Sequence, residues 1–170
     1  MAKSKQAAIG FRVHSGWAAA VAVCVDKGSP VVLARQRVHL VETFTYGFRQ
    51  PYHTAEKMLL GQAREFIARM QVEARRLAYR AVRELESRTQ EQGVKLTRCG
   101  LRDFTIKEKE LFEGAGQVLR AKPRNLMRRV TELGHSFGAP WSQDEKFATL
   151  VAWLALEVRS SKRQGKLAAP

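Results

Sequence analysis

Two histidines and two acids in this chain have the residue types for moving a proton. His53 and Glu56 stand three apart in Pro51-Tyr52-His53-Thr54-Ala55-Glu56, which puts both on one side of a helix start. An imidazole and a carboxylate at that spacing can share a proton, or each can offer a metal one ligand. His14, in His14-Ser15-Gly16-Trp17, and Asp144, in Ser142-Gln143-Asp144-Glu145-Lys146, are separated widely in the chain. If folding brought His14, His53, Glu56 and Asp144 into one cleft, they would form the centre of a noncanonical hydrolase or nuclease. The plainer reading of the same residues is structural. Thr54 caps a helix, and Glu56, Asp144 and Glu145 are first-turn acids that complement a helix dipole. His14 and Ser15 are adjacent on a strand and point to opposite faces, so they make no nucleophile-and-base pair.

A third pattern is the run Arg120-Ala121-Lys122-Pro123-Arg124-Asn125-Leu126-Met127-Arg128-Arg129. It holds five basic residues and no acid, and Arg124 and Arg128 fall one helical turn apart. Such a ridge suits phosphate contacts, with a solvated basic face as the plainer reading. The tail adds Arg159, Lys162, Arg163 and Lys166. The formal net charge of +14 favours an anionic partner, with nucleic acid ahead of a membrane surface. The excess is spread evenly. Residues 1–50 hold seven basic and two acidic side chains, residues 51–100 ten and six, and residues 101–170 thirteen and eight.

Cys24 and Cys99 are the only cysteines, and neither has a second cysteine or a histidine at metal-ligand spacing. Two free thiols in a reducing cytoplasm are expected, with no structural zinc and no cofactor. No apolar run reaches the roughly 18 residues of a membrane span. The segment after the basic start 1–6 alternates, so neither a signal peptide nor a membrane partner is expected.

The elements that must position these residues can be read from periodicity. Ala7–His14, Trp17–Val25 and Val31–Val41 read as three antiparallel strands, turned at His14–Trp17 and at Asp26–Pro30. Arg35, Arg37 and His39 share one face of the third strand, and Ala34, Gln36 and Val38 the more apolar other face. An aromatic loop, 42–52, leads to a helix expected from Thr54 to Gln92 and closed by Gly93. A helix of that length would be about 55 Å long, so it must break near Gly61 or protrude. Its exposed half, within 55–92, is a candidate surface for a protein partner. Val94–Cys99 reads as a further strand, and 106–137 as two helices split around Gly114 to Pro123. Ser142 caps a closing apolar helix to about Val158, with Glu145 completing a capping box.

This order of three antiparallel strands, helix, strand and helices resembles the ribonuclease H-like superfamily, and the closing helix behind Asp144-Glu145 resembles its resolvase-type members. The segments His14–Trp17, Gln50–Glu56 and Ala139–Lys146 also resemble those of a group of small bacterial proteins without an assigned activity. The resemblance implies an α/β fold in which a nuclease would bind two divalent metals through acids from the first strand, a middle strand and the last helix. Ile9-Gly10-Phe11-Arg12-Val13-His14 carries no carboxylate, and Arg12 would repel a cation there. The expectation is one ribonuclease H-like domain over 1–158 with a flexible basic tail, 159–170. Its expected role is cytoplasmic association with nucleic acid, RNA ahead of DNA, without the usual metal site and without an assigned enzymatic activity.

Overall fold

The structure is a computed structural model that describes residues 5–43, 45–102 and 107–164, with side chains through Glu157. Three strands, β1 (Lys5–His14), β2 (Trp17–Asp26) and β3 (Ser29–His39), form the expected antiparallel meander. The chain then makes two short helices, α1 (Tyr46–Arg49) and α2 (Pro51–Ala55), before the long helix α3 (Leu60–Glu91). β4 (Val94–Arg102) returns parallel to β1, giving one sheet of order β3-β2-β1-β4. Helices α4 (Glu108–Leu119) and α5 (Pro123–Glu132), a 3-10 turn (Leu133–Ser136) and the closing helix α6 (Gln143–Gln164) complete it. This is the α/β arrangement that the ribonuclease H-like resemblance implies, a meander followed by helices and one further strand.

The two faces of the sheet bury different helices. Ala8, Val21, Val23 and Val32 pack against Ala148, Ala152 and Leu156 of α6. Ile9, Ala20, Ala22, Ala34 and Val38 pack against Ala81 and Leu85 of α3. The small residues of β2 let both layers approach closely, and almost the whole strand is buried. β3 does not alternate cleanly, because the register against β2 slips between Ala22 and Val23. Leu33 is the extra residue, so Val32 faces α6 while Ala34 and Val38 face α3.

Two glycines fix how α6 lies. A Cβ on Gly10 would stand 1.9 Å from the backbone oxygen of Ala148, and one on Gly100 2.6 Å from Val151 Cγ1. Gly10 and Gly100 are paired across β1 and β4, so together they open a window where the helix rests directly on the sheet.

The helical half differs from expectation in three places. Thr54 does not cap the long helix. It lies inside α2, where its hydroxyl donates to the carbonyls of Gly47 (3.0 Å) and Gln50 (3.1 Å). The break falls at 56–59 and not at Gly61, because Phe48 and Met58 fold back onto Phe66 and Met70. From Leu60 the helix then runs 32 residues unbroken. The second difference is α4, which passes through Gly114 and ends where Arg120 takes a left-handed φ of 51°. The third is α6, which continues to Gln164 in its backbone. Lys166 and the rest of 165–170 lie outside the described residues, as do Phe44 and 103–106.

Among the described residues no helix is long and apolar enough to cross a membrane. Cys24 is buried and Cys99 exposed, both as free thiols. Burial pushes the Cys24 thiol above its ordinary range, the environment of a packing residue.

Candidate functional site

The window at Gly10 and Gly100 decides what meets at the start of α6. Ala148 lies over Gly10, so Asp144, one helical turn earlier, falls beside the end of β1. Ser142 and Glu145 form the expected cap. The Ser142 N–H donates to the Glu145 carboxylate (2.8 Å), and the Ser142 hydroxyl accepts from the Asp144 N–H (3.2 Å). Glu145 is thereby absorbed in holding the helix start, which leaves the Asp144 carboxylate to face β1.

There it takes two partners. His14 Nε2 lies 2.7 Å from Asp144 Oδ1, and Arg12 Nε lies 3.8 Å from the same oxygen. Arg12 also donates to the backbone carbonyl of Val13 (3.3 Å). The His14 ring stacks on Trp17 with centroids 4.3 Å apart and planes within 10° of parallel. The guanidinium of Arg37 lies 3.9 Å from the centre of the Trp17 ring. Since β2 lies between β1 and β3, His14 and Arg37 reach Trp17 from opposite sides.

Strand register turns these contacts into rows. Arg37 is opposite Ala19, Ala19 opposite Arg12, and Arg12 opposite Arg102. The next row holds His39, Trp17 and His14. Among the described residues, this end of the sheet on the α6 side holds Arg12, Arg37, Arg102, His14 and His39, with the Asp144 carboxylate beside Arg12 and His14. Arg102 serves the interior, 3 % exposed, with its guanidinium 4.4 Å from the centre of the Phe147 ring. Arg37 and His39 are exposed.

His53 and Glu56 form a separate pair 3.5 Å apart, with side chains 64 % and 71 % exposed. Among the described residues no hydrogen bond, ion pair or ring contact joins them to His14 or Asp144. An exposed pair at that distance is held weakly.

Among the described residues, Asp144 is the carboxylate that the start of α6 brings to the end of β1. β1 and β4 contain no Asp or Glu, and Arg12 already sets a cation beside Asp144. Among the described residues no group of three or more metal-ligating side chains comes together. Asp103, next after β4, lies outside the described residues.

The basic run falls on the turn between α4 and α5 and on α5 itself. Arg120, Lys122, Arg124 and Arg128 are exposed, and Arg128 has Glu132 at 3.8 Å. Arg129 is engaged internally. It donates to the Ser29 hydroxyl (2.7 Å), and its guanidinium lies 5.3 Å from the centre of the Trp153 ring. Arg159, Lys162 and Arg163 belong to the last turns of α6, whose side chains lie outside the described residues.

Reading the sequence missed Trp17 and Arg37 and assigned Arg12 only a repulsive role. The signal was present. A two-residue turn after His14 fixes the β1–β2 register, and the alternating Arg35, Arg37 and His39 face was visible without knowing what it would meet.

No family model matches the chain, and no curated protein is similar to it in sequence. Among solved structures it is similar to RuvC of Thermus thermophilus, at 12% identity over 92% of this chain and 96% of that one, with a TM-score of 0.43. The same values hold for T. thermophilus RuvC in complex with a Holliday junction substrate. The yeast mitochondrial Holliday junction resolvase Ydc2 is similar at 10% identity over 93% of this chain and 83% of that chain, with a TM-score of 0.40.

Proposed function

We propose that the chain is a nucleic-acid-associated protein whose ribonuclease H-like fold carries a cationic surface where a nuclease of that fold would hold metal. The observation that carries this reading is Arg12 beside Asp144 at the end of β1, with Arg37 exposed in the same row two strands away and Arg102 buried behind them. A cation built into the fold there supports binding of phosphates and weighs against metal-assisted cleavage. The exposed residues Arg120, Lys122, Arg124 and Arg128 extend the positive surface, and the net charge of +14 draws anions to it. RNA is put ahead of DNA because Ser15, exposed at the turn beside the row, can hydrogen-bond a 2′-hydroxyl.

The test is a binding titration of labelled RNA and DNA with the wild type and Arg37→Glu, alongside a cleavage assay with magnesium. The reading expects binding that Arg37→Glu weakens, tighter for RNA, and intact nucleic acid at the end. Magnesium-dependent cleavage abolished by Asp144→Asn would overturn it.

The 2.7 Å contact of His14 with Asp144 favours a second reading, a metal-independent hydrolase. The carboxylate orients the imidazole and Trp17 pins its plane, as a general base requires. Hydrolysis that persists in EDTA and disappears in His14→Ala would select this reading. His53 and Glu56 stand apart from that pair, and the long helix within 55–92 keeps its candidacy for a protein partner.

A further inference from the structure

We propose that the outer edge of β4 is a docking strand for another protein, and that the partner is an extended segment in which acidic and apolar residues alternate. This surface is separate from the pair at the start of α6 and does not depend on nucleic-acid binding.

β4 lies at the end of the sheet order and pairs, among the described residues, with β1 alone. Among those residues no backbone hydrogen bond reaches its other edge. A strand bonded on one side leaves N–H and C=O groups of alternate residues turned away from its neighbour, which is a template for a further strand. Lys95, Thr97, Cys99 and Leu101 are exposed along it, Leu101 to 68 %.

The register decides what β4 offers on each face. Ile9, which packs against α3, is opposite Cys99, and Phe11 is opposite Leu101, so both share the α3 side with Leu96. Ala8, which packs against α6, is opposite Arg98, and Arg12 is opposite Arg102. Gln6, opposite Lys95, is on the same side as Ala8. The register shift falls at Thr97 and keeps the two sets apart. Without it Lys95 would share a face with Cys99 and Leu101. The α3 side of the strand is thus apolar, and the α6 side carries Lys95, Arg98 and Arg102.

Both sides are prepared for a neighbour. On the apolar side an open groove of about 300 Å³ runs between β4, β1 and α3, with Phe11, Val13, Val82, Cys99 and Leu101 among its walls. On the cationic side Arg98 is held in place by donating to the carbonyls of Ala155 (2.9 Å) and Leu156. β4 contains no Asp or Glu. A second copy of the strand would therefore bring cations toward cations. An acid at every second residue answers them instead, while the apolar residues between enter the groove. Main-chain hydrogen bonds give an added strand its affinity, and side chains at alternate positions give it specificity.

The experiment is fluorescence anisotropy of the full chain with a labelled peptide of about ten residues alternating Val and Glu. Its comparisons are a peptide alternating Val and Lys, one with the same Val and Glu residues in two blocks, and a fully N-methylated form of the first. Lys95→Glu and Leu101→Ser, both at exposed positions, are the variants, with folding checked by circular dichroism. The alternating Val/Glu peptide is expected to bind, and its N-methylated and block forms to bind at least about tenfold more weakly, since main-chain hydrogen bonds are lost. Each variant should weaken binding about threefold or more. Equal binding of the block or N-methylated form overturns the added strand, because attraction to a net charge of +14 would then be enough. Tighter binding of the Val/Lys peptide, or no binding of the Val/Glu peptide, overturns the assigned partner chemistry. A dimer of the free chain in the analytical ultracentrifuge that Leu101→Ser abolishes overturns it in favour of a second copy.

Discussion

Asp144 and His14 meet at 2.7 Å across 130 residues of chain because α6 rests on a glycine. With Ala148 seated over Gly10, the first turn of α6 has little freedom, and its outward acid falls on the last residue of β1. The site is therefore a consequence of helix-on-sheet packing, and that packing can be tested separately from any function.

Gly10→Ala is expected to be among the most damaging single substitutions. The new Cβ would meet backbone atoms of Ala148 and Ala152, which cannot move without lifting α6 from the sheet. Overpacking of this kind costs about 3 kcal/mol or more, a loss of Tm of roughly 10 °C at this size. Gly114→Ala is the control. It lies in α4 with nothing within 4 Å of a built Cβ, and should stabilise by about 0.5–1 kcal/mol. Thermal unfolding of both variants checks the pair.

Arg129 and Arg124, five residues apart in one basic run, should behave differently. Arg129→Ala removes the bond to Ser29 and the contact with Trp153, and is expected to cost about 1–2 kcal/mol. Arg124→Ala, on an exposed surface, should change stability by less than about 0.5 kcal/mol. Urea unfolding measures both. Equal effects would mean that the anchor assigned to Arg129 is wrong.

The meander could be read because Ala7–His14 and Trp17–Val25 are apolar runs bounded by glycine turns, a local signal. The slip at Leu33 could not be read, because a bulge depends on the partner strand as much as on its own residues. Thr54 suited a helix cap, but Phe48 and Met58 close a small cluster on Phe66 and Met70, and that long-range packing outweighed the local preference. His14 and Asp144 were visible as chemistry but not as a pair, since their meeting depends on Gly10 and Gly100 lying side by side under α6.

His14→Ala should loosen the sheet end without unfolding the chain. Trp17 loses its parallel neighbour and Asp144 its nearest partner, while Arg12 remains beside the carboxylate. The side chains involved are partly exposed, so the cost is expected to be about 1 kcal/mol. Tryptophan fluorescence should change with it, because the environment of Trp17 changes. A spectrum identical to the wild type would contradict the stack.

The two thiols should differ in reactivity. Burial pushes both thiols above their ordinary range, so the difference lies in access: Cys99 is exposed on β4, while Cys24 is buried. A chromogenic disulfide reagent at neutral pH is expected to modify one thiol in the folded protein and two after denaturation, with mass mapping to Cys99 first.

The most direct test of the central claim is the salt dependence of nucleic-acid binding by the unmodified chain. If phosphates are held by Arg37 and the exposed cations of the α5 ridge, four such contacts imply a loss of roughly 100-fold in affinity between 50 and 200 mM salt. A logarithmic plot of affinity against salt should be straight, with a slope near −3 to −4 for a double helix. Binding that is absent at low salt, or constant across the range, would contradict the account.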